Sequence, residues 1–246
     1  MRLTNQLGLV GVLGVLCAVA VISSCRASRP IARRARTGEM SVRPGINDEL
    51  KEGAVDKWIS RFEGENREIW RERERIADSM GLKPGMVVAD VGAGTGFLSE
   101  LLADRIRPGG KVYAVEIVPE FIDLISTRAA EHGVSNIEPV LCTDDSVELP
   151  ASSVDVAFIC DTYHHFEYPR STMATIHQAL KPGGELVIVD FLREPGKSRA
   201  WILKHVRLSK EAVISEVEDD GFELLDRGDD ISYLTENYVV RFRKSD

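Results

Sequence analysis

Val88-Ala89-Asp90-Val91-Gly92-Ala93-Gly94-Thr95-Gly96-Phe97 decides how the rest of this chain is read. An apolar run ends in a carboxylate, three glycines alternate, and a helical pattern opens at Phe97. Strand, tight turn and helix N-terminus in that order form a cradle for a nucleotide-type cofactor. Glycine lets a ligand come close to the backbone because no Cβ intervenes. The spacing here is G-x-G-x-G. The dinucleotide fingerprint G-x-G-x-x-G needs glycine where this chain has Phe97. That fingerprint serves a pyrophosphate on the helix dipole, so the turn speaks against a nicotinamide dinucleotide. Taken alone, it also fits a glycine-rich turn in any α/β protein.

Further segments narrow the choice. Lys111-Val112-Tyr113-Ala114-Val115-Glu116 reads as a second strand ending in an acid, placed to accept both hydroxyls of a ribose. Val140-Leu141-Cys142-Thr143-Asp144-Asp145 leads to Glu148-Leu149-Pro150 and then to Ser153-Val154-Asp155, where an apolar strand begins. Leu180-Lys181-Pro182-Gly183-Gly184-Glu185-Leu186 opens another. In this order the four motifs resemble the class I S-adenosylmethionine-dependent methyltransferases, methyltransferase type 11/25-like and bacterial, over residues 55–242. The resemblance implies a Rossmann-like, doubly wound α/β fold: a mostly parallel seven-stranded sheet whose last strand is antiparallel. It implies S-adenosyl-L-methionine as cofactor. Asp90 would hold the amino-acid end, and Gly92, Ala93, Gly94 and Gly96 would admit the ligand. Glu116 would take the ribose, with Ile117 beside the adenine and Asp161 at the far end. Asp144 is the first candidate for the adenine amine and Asp145 the second; the doubled acid leaves the register open.

Local patterns agree with that fold. Helices are expected at residues 49–62, 65–79, 98–106, 119–132, 170–180 and 209–219, from apolar faces at helical spacing bounded by Gly and Pro. Strands are expected at 86–91, 112–116, 138–141, 154–160, 185–189, 222–225 and 238–243. Alternating strand and helix implies a parallel sheet covered on both faces.

The chemistry is expected beyond the fourth strand, at Asp161-Thr162-Tyr163-His164-His165-Phe166, because ligands of open α/β sheets lie past the strands' carboxyl ends. Asp161, Tyr163, His164 and His165 are the candidate catalytic residues. Asp161 would orient an acceptor amine or hydroxyl. A neutral imidazole takes a proton near pH 7. No metal site is expected: adjacent histidines should point apart, no third ligand is evident, and the four cysteines form no C-x-x-C pair. Trp201 and His205, four residues apart on one helical face, either line the acceptor pocket, as the resemblance implies, or simply pack on the sheet. The rival functions are a nucleotide-dependent oxidoreductase and a non-catalytic cofactor-binding scaffold.

The chain has 246 residues, 43% of them hydrophobic, enough for one sizeable core. Three parts are expected: 1–25 as signal peptide, lipoprotein signal or anchor, 26–47 as a basic linker, and 48–246 as the methyltransferase domain. Residues 1–38 hold six arginines and no acid, which leaves 25 basic against 39 acidic residues, or −14, in the remainder. So acidic a domain is a poor surface for nucleic acid, and a small-molecule acceptor is expected. Residues 7–22 are apolar or small throughout, short for a spanning helix, and run into Ile22-Ser23-Ser24-Cys25, which resembles a bacterial lipoprotein box. The arginines that follow favour a cytoplasm-facing anchor instead. Either way the N-terminus is expected to associate with the membrane; which face is left open.

Overall fold

In this computed structural model the structure describes residues 38–52 and 54–245. Seven strands form one sheet: β1 (Val87–Val91), β2 (Lys111–Glu116), β3 (Ile137–Leu141), β4 (Val154–Cys160), β5 (Leu180–Phe191), β6 (Phe222–Asp226) and β7 (Asn237–Lys244). Their order is β3-β2-β1-β4-β5-β7-β6. Strands β1 to β5 run parallel, while β7 lies between β5 and β6 and is antiparallel to both. The doubly wound sheet expected from the sequence is the one found.

Helices cover both faces: α1 (Asp48–Glu52), α2 (Val55–Phe62), α3 (Glu68–Ser79), α4 (Phe97–Arg105), α5 (Pro119–Glu131), α6 (Pro169–Ala179), α7 (Ala200–His205) and α8 (Lys210–Asp219). Side chains alternate across a strand with period two, and the core divides accordingly. Val88, Val156, Phe158 and Val187 pack on one face with Ile69, Ile76 and Leu102. Ala89, Ala157, Ile159 and Ile188 pack on the other with Met173, Ile176 and Val213. The central strand β4 is buried at every position but Asp155, as expected of a parallel strand covered on both sides. Each large apolar side chain buried this way contributes about 1.5–3 kcal/mol.

Two local expectations are corrected. The helix read over 49–62 is two helices, α1 and α2. Gly53 falls between them in the sequence, and glycine disfavours a helix interior by about 1 kcal/mol. Strand β5 starts at Leu180 rather than 185, because Leu180 pairs with Val154 before a register break carries the strand on to Glu185. A short 3-10 turn, Tyr163–His165, follows β4.

The basic linker is also different at its C-terminal end. From Glu39 onward it is docked. The Glu39 carboxylate accepts from the backbone N–H of Arg170 and Ser171, at 3.1 and 2.9 Å, and so caps α6. Ser41 donates to Glu167 at 2.8 Å, and Arg43 donates to the carbonyls of Lys204 and His205. Asn47 grips His165, as described below. Residues 39–47 are therefore a strap across the domain. The rest of the linker, the apolar stretch 7–22 and Cys25 lie outside the described residues. No helix among the described residues is long and apolar enough to cross a membrane.

The two ends of the domain meet at Glu68, which is 2% exposed. Its carboxylate accepts four hydrogen bonds at 2.6–2.9 Å, from Thr235 N–H and hydroxyl and from the N–H groups of Glu236 and Asn237.

Candidate active site

The carboxyl ends of β1, β2 and β4 open on one cavity of about 440 Å³, within the roughly 300–1,000 Å³ usual for small-molecule sites. This is the crevice where the strand order turns outward in both directions from β1. Asp90, Gly92, Ala93, Gly94, Glu116, Ile117, Asp144, Asp161, His164 and His165 all line it. Gly96, Asp145 and Tyr163 do not, and each has another role.

Glu116 ends β2 and is 5% exposed. One carboxylate oxygen accepts from Gly94 N–H at 2.8 Å, the other from Ile117 and Val118 N–H at 2.7 and 3.0 Å. The residue therefore shapes the glycine turn as well as facing the cavity. Burial pushes its pKa up, against those three donors. Asp90, on the adjacent strand, is buried more deeply, and burial pushes its pKa up to about 7, with the Glu116 charge adding to the rise and Ser99 opposing it. Ser99 donates to Asp90 Oδ2 at 2.6 Å, leaving Oδ1 for a ligand.

The alternating glycines divide by function. At Gly94 (φ +54°) a Cβ would meet only the ring edge of Phe62, at 3.4 Å. At Gly92 it would lie 2.2 Å from Thr162 Cγ2, and at Gly96 2.7 Å from Ile125 Cγ1. Gly92 thus lets β1 and β4 come together, and Gly96, left-handed at the N-cap of α4, lets α5 pack on the turn. Gly96 is corrected from ligand contact to helix packing. Asp144 reaches the cavity wall and pairs with Lys51 at 2.9 Å. Asp145 turns back to accept from the Thr143 hydroxyl at 2.9 Å. Trp58, Phe62 and Phe121 stack near Ile117 as an apolar wall, with ring centroids 5.4 and 6.3 Å apart.

Asp161, just past the end of β4, stands at φ +48°, a strained backbone for a non-glycine residue. Its oxygens are already taken by Arg67 at 2.9 Å and Asn237 Nδ2 at 2.6 Å. Burial pushes its pKa up, and the Arg67 guanidinium opposes this. It ties α3's leading residue and β7 to the end of β4. Tyr163 is corrected: it is 1% exposed, and its hydroxyl donates to Glu216 at 2.8 Å on the core side. In a 3-10 turn it and His164 leave the backbone in different directions.

His164 Nδ1 sits 2.7 Å from Asp190 Oδ1, and its N–H donates to Asp190 Oδ2 at 3.2 Å. His165 Nδ1 lies 3.0 Å from Asn47 Oδ1, while Asn47 Nδ2 donates to the His165 carbonyl at 3.2 Å. His205 comes from the end of α7, its Nε2 3.3 Å from His165 Nε2. The three imidazoles form a triangle with centroids 4.5, 5.0 and 5.0 Å apart. The expectation that adjacent histidines diverge, with no third ligand, is therefore corrected. Burial, with His164, His205, Arg43 and Arg61 nearby, holds His165 well below the usual histidine pKa. Burial and the same cationic surroundings lower His205 to about 4. Trp201 packs edge-on to Phe191 at 4.9 Å and is 37% exposed, an apolar rim to the cavity. Asp190, Asn47 and Arg67 were not among the sequence candidates. Asp190 closes β5 as Asp90 closes β1, so the strand-end rule pointed to it.

Comparison with known proteins agrees with this fold. A family model described as a methyltransferase domain matches residues 89–188. A protein-L-isoaspartate O-methyltransferase of Aeropyrum pernix is 34% identical over 118 residues, 46% of this chain and 42% of that one. A ubiquinone/menaquinone biosynthesis C-methyltransferase, UbiE, of Hydrogenovibrio crunogenus is 26% identical over 124 residues, 50% of this chain and 48% of that one. This chain thus spans less than half the length of both curated relatives. The crystal structure of a SAM-dependent methyltransferase from Aquifex aeolicus superposes with a TM-score of 0.67 at 23% identity, covering 78% of this chain and 99% of that one. Residues 89–188 thus match a methyltransferase domain, a kind of domain whose methyl donor is S-adenosylmethionine, and the fold around them is that of a SAM-dependent methyltransferase.

The residues fit that cofactor. Two buried carboxylates at neighbouring strand ends call for a cationic ammonium and a diol, and the aromatic wall offers a bed for a flat base. An ammonium at Asp90 would lower its pKa again, so binding should release a proton near pH 6. Affinity is expected to rise about fivefold between pH 6 and pH 7. Calorimetry in buffers of different ionisation enthalpy reads both quantities; pH-independent affinity across that range would remove Asp90 from the ligand contact. In the free protein the raised pKa means the opposite trend: Asp90 favours folding most below its unfolded value of 3.8 and loses that contribution as pH rises towards 7.

Proposed function

We propose that this chain transfers the methyl group of S-adenosylmethionine to a small-molecule acceptor seated in the cavity against the histidine triangle and the Phe191–Trp201 rim. One observation carries the reading: the Asp90–Glu116 carboxylate pair and the His164–His165 pair open on the same cavity. The cofactor, when bound, supplies an electrophilic methyl group on a sulfonium. Asp90 and Glu116 hold its amino-acid and ribose parts, Asp144 is the acid beside the adenine, and Gly94 lets it pass. The chain's remaining task is to align the acceptor with the methyl group and keep water out. The strap 39–47 and helices α1 and α2 supply the cover. Asp190 fixes His164 with Nε2 free, so an acceptor that starts protonated has a base within the cavity.

The relatives' names cover both a protein and a small-molecule acceptor. The apolar rim of Phe191 and Trp201 and the cover over the cavity favour a small acceptor with an apolar body. The charge of −14 outside residues 1–38 disfavours nucleic acid. The test is calorimetry of the full-length chain with S-adenosylmethionine and with NAD, followed by mass spectrometry of cell-extract components labelled from methyl-deuterated cofactor. Binding of the first alone and one labelled small molecule is the expected result. A flat titration with S-adenosylmethionine overturns the reading.

We also propose that the N-terminus attaches the chain to a membrane through a lipid on Cys25. The support is the order of features: one arginine, sixteen apolar or small residues, then Ile22-Ser23-Ser24-Cys25. Intact-mass analysis of membrane-extracted protein should find a chain lacking residues 1–24 with lipid on Cys25. A chain still carrying residues 1–24, with Cys25 a free thiol, rules this out and leaves a cytoplasm-facing anchor.

A further inference from the structure

We propose that His164, His165 and His205 form a binding site for one divalent zinc-type metal ion, with its fourth position open to the cavity. The three side chains each offer a ring nitrogen, and these nitrogens all lie within 4.8 Å of one another. Nitrogens bound to one tetrahedral zinc at about 2.0–2.1 Å stand about 3.3–3.4 Å apart. His165 and His205 already hold their Nε2 atoms at 3.3 Å. Small rotations of the rings bring in the third.

Protonation states are set for this from outside the triangle. Asn47 donates its Nδ2 to the His165 carbonyl, which turns its Oδ1 to His165 Nδ1. That nitrogen must then carry the proton, and Nε2 keeps its lone pair. Asp190, an acceptor, does the same at His164 Nδ1. A metal-bound histidine characteristically donates its other N–H to a carboxylate or carbonyl, and two of the three histidines here do so. Asp190 also places a negative charge behind the site. Arg43 lies nearby, but its guanidinium is engaged by the carbonyls of Lys204 and His205. Three neutral imidazoles and one open position are the donor set of a catalytic zinc site, not a closed structural one. With the metal bound, His164 Nε2 would be a ligand in place of a base, and a hydroxyl or thiol at the open position would give its proton to solvent and stay as the anion. That last consequence rests on the methyl-transfer reading; the metal site does not.

The test uses the full-length chain stripped with a chelator. Zn²⁺ is titrated in competition with a chromophoric chelator, and Co²⁺ is added to a second sample to read the visible absorption of a tetrahedral site. One equivalent with a dissociation constant below about 1 µM is expected. His205→Ala and His205→Gln should each weaken it at least a hundredfold, and Asp190→Asn about 10–100-fold. Wild-type affinity weaker than about 0.1 mM, or unchanged affinity in both His205 variants, overturns the proposal. S-adenosylmethionine is titrated separately into the same metal-free sample. Loss of zinc binding and loss of cofactor binding are thus distinguishable outcomes.

Discussion

Alanine at His164 should leave cofactor affinity unchanged and lower turnover by about 10²–10⁴-fold, the range for losing a positioned proton acceptor. The proposed cofactor contacts are Asp90 and Glu116 rather than His164, so binding and chemistry should separate in this variant. If the imidazole acts as a base, the loss shrinks as pH rises, because more of the acceptor ionises unaided. Asp190→Asn should reproduce part of the loss without removing the ring, since the carboxylate fixes Nδ1 as the donor. A His164→Ala, His165→Ala double variant with full turnover would assign both rings to packing.

Glu116→Ala should weaken S-adenosylmethionine binding by about a hundredfold or more. Each charge-assisted bond to a ribose hydroxyl is worth about 1.5–3 kcal/mol, and two are lost. The geometry adds a second effect. Gly94, Ile117 and Val118 N–H all end on this carboxylate, so the variant leaves three backbone donors without a partner. The thermal transition of the unliganded protein should therefore fall as well. Glu116→Gln keeps one acceptor oxygen and should lose less stability than affinity. Wild-type affinity in Glu116→Ala would move the ribose to another part of the cavity.

The sheet was legible because its signals are local. A strand buried on both faces is an apolar run, as in 154–160, and a glycine turn after an acid marks its exit. The same logic found Asp90, Glu116 and Asp144. What escaped depends on contacts between distant parts of the chain. His205 joins His165 across 40 residues and Asn47 joins it across 118, and neither pairing leaves a trace in spacing. The strap 39–47 looked like a linker because its contacts are made by charged and polar side chains rather than by an apolar period. Tyr163 was misassigned because a 3-10 turn, unlike a continuing strand, sends neighbouring side chains to different sides. Gly96 was right as a glycine and wrong as a ligand contact, since it lies off the cavity and Ile125 occupies the space a Cβ would need; Gly92 lines the cavity and also makes room for Thr162.

The pairing of β7 between β5 and β6 bears on how the molecule is made. Residues 237–244 follow β6 in the chain, yet they enter the sheet between β5 and β6 rather than at its edge. Asn237 then supplies one of the two partners that hold Asp161, and the segment 235–237 satisfies the carboxylate of Glu68 at the start of α3. A nascent chain stalled before residue 235 would carry the glycine turn and the histidines but would leave Asp161 without Asn237 and the Glu68 carboxylate without its four donors. The cavity wall at Asp161 is therefore completed by a side chain 76 positions further along the chain.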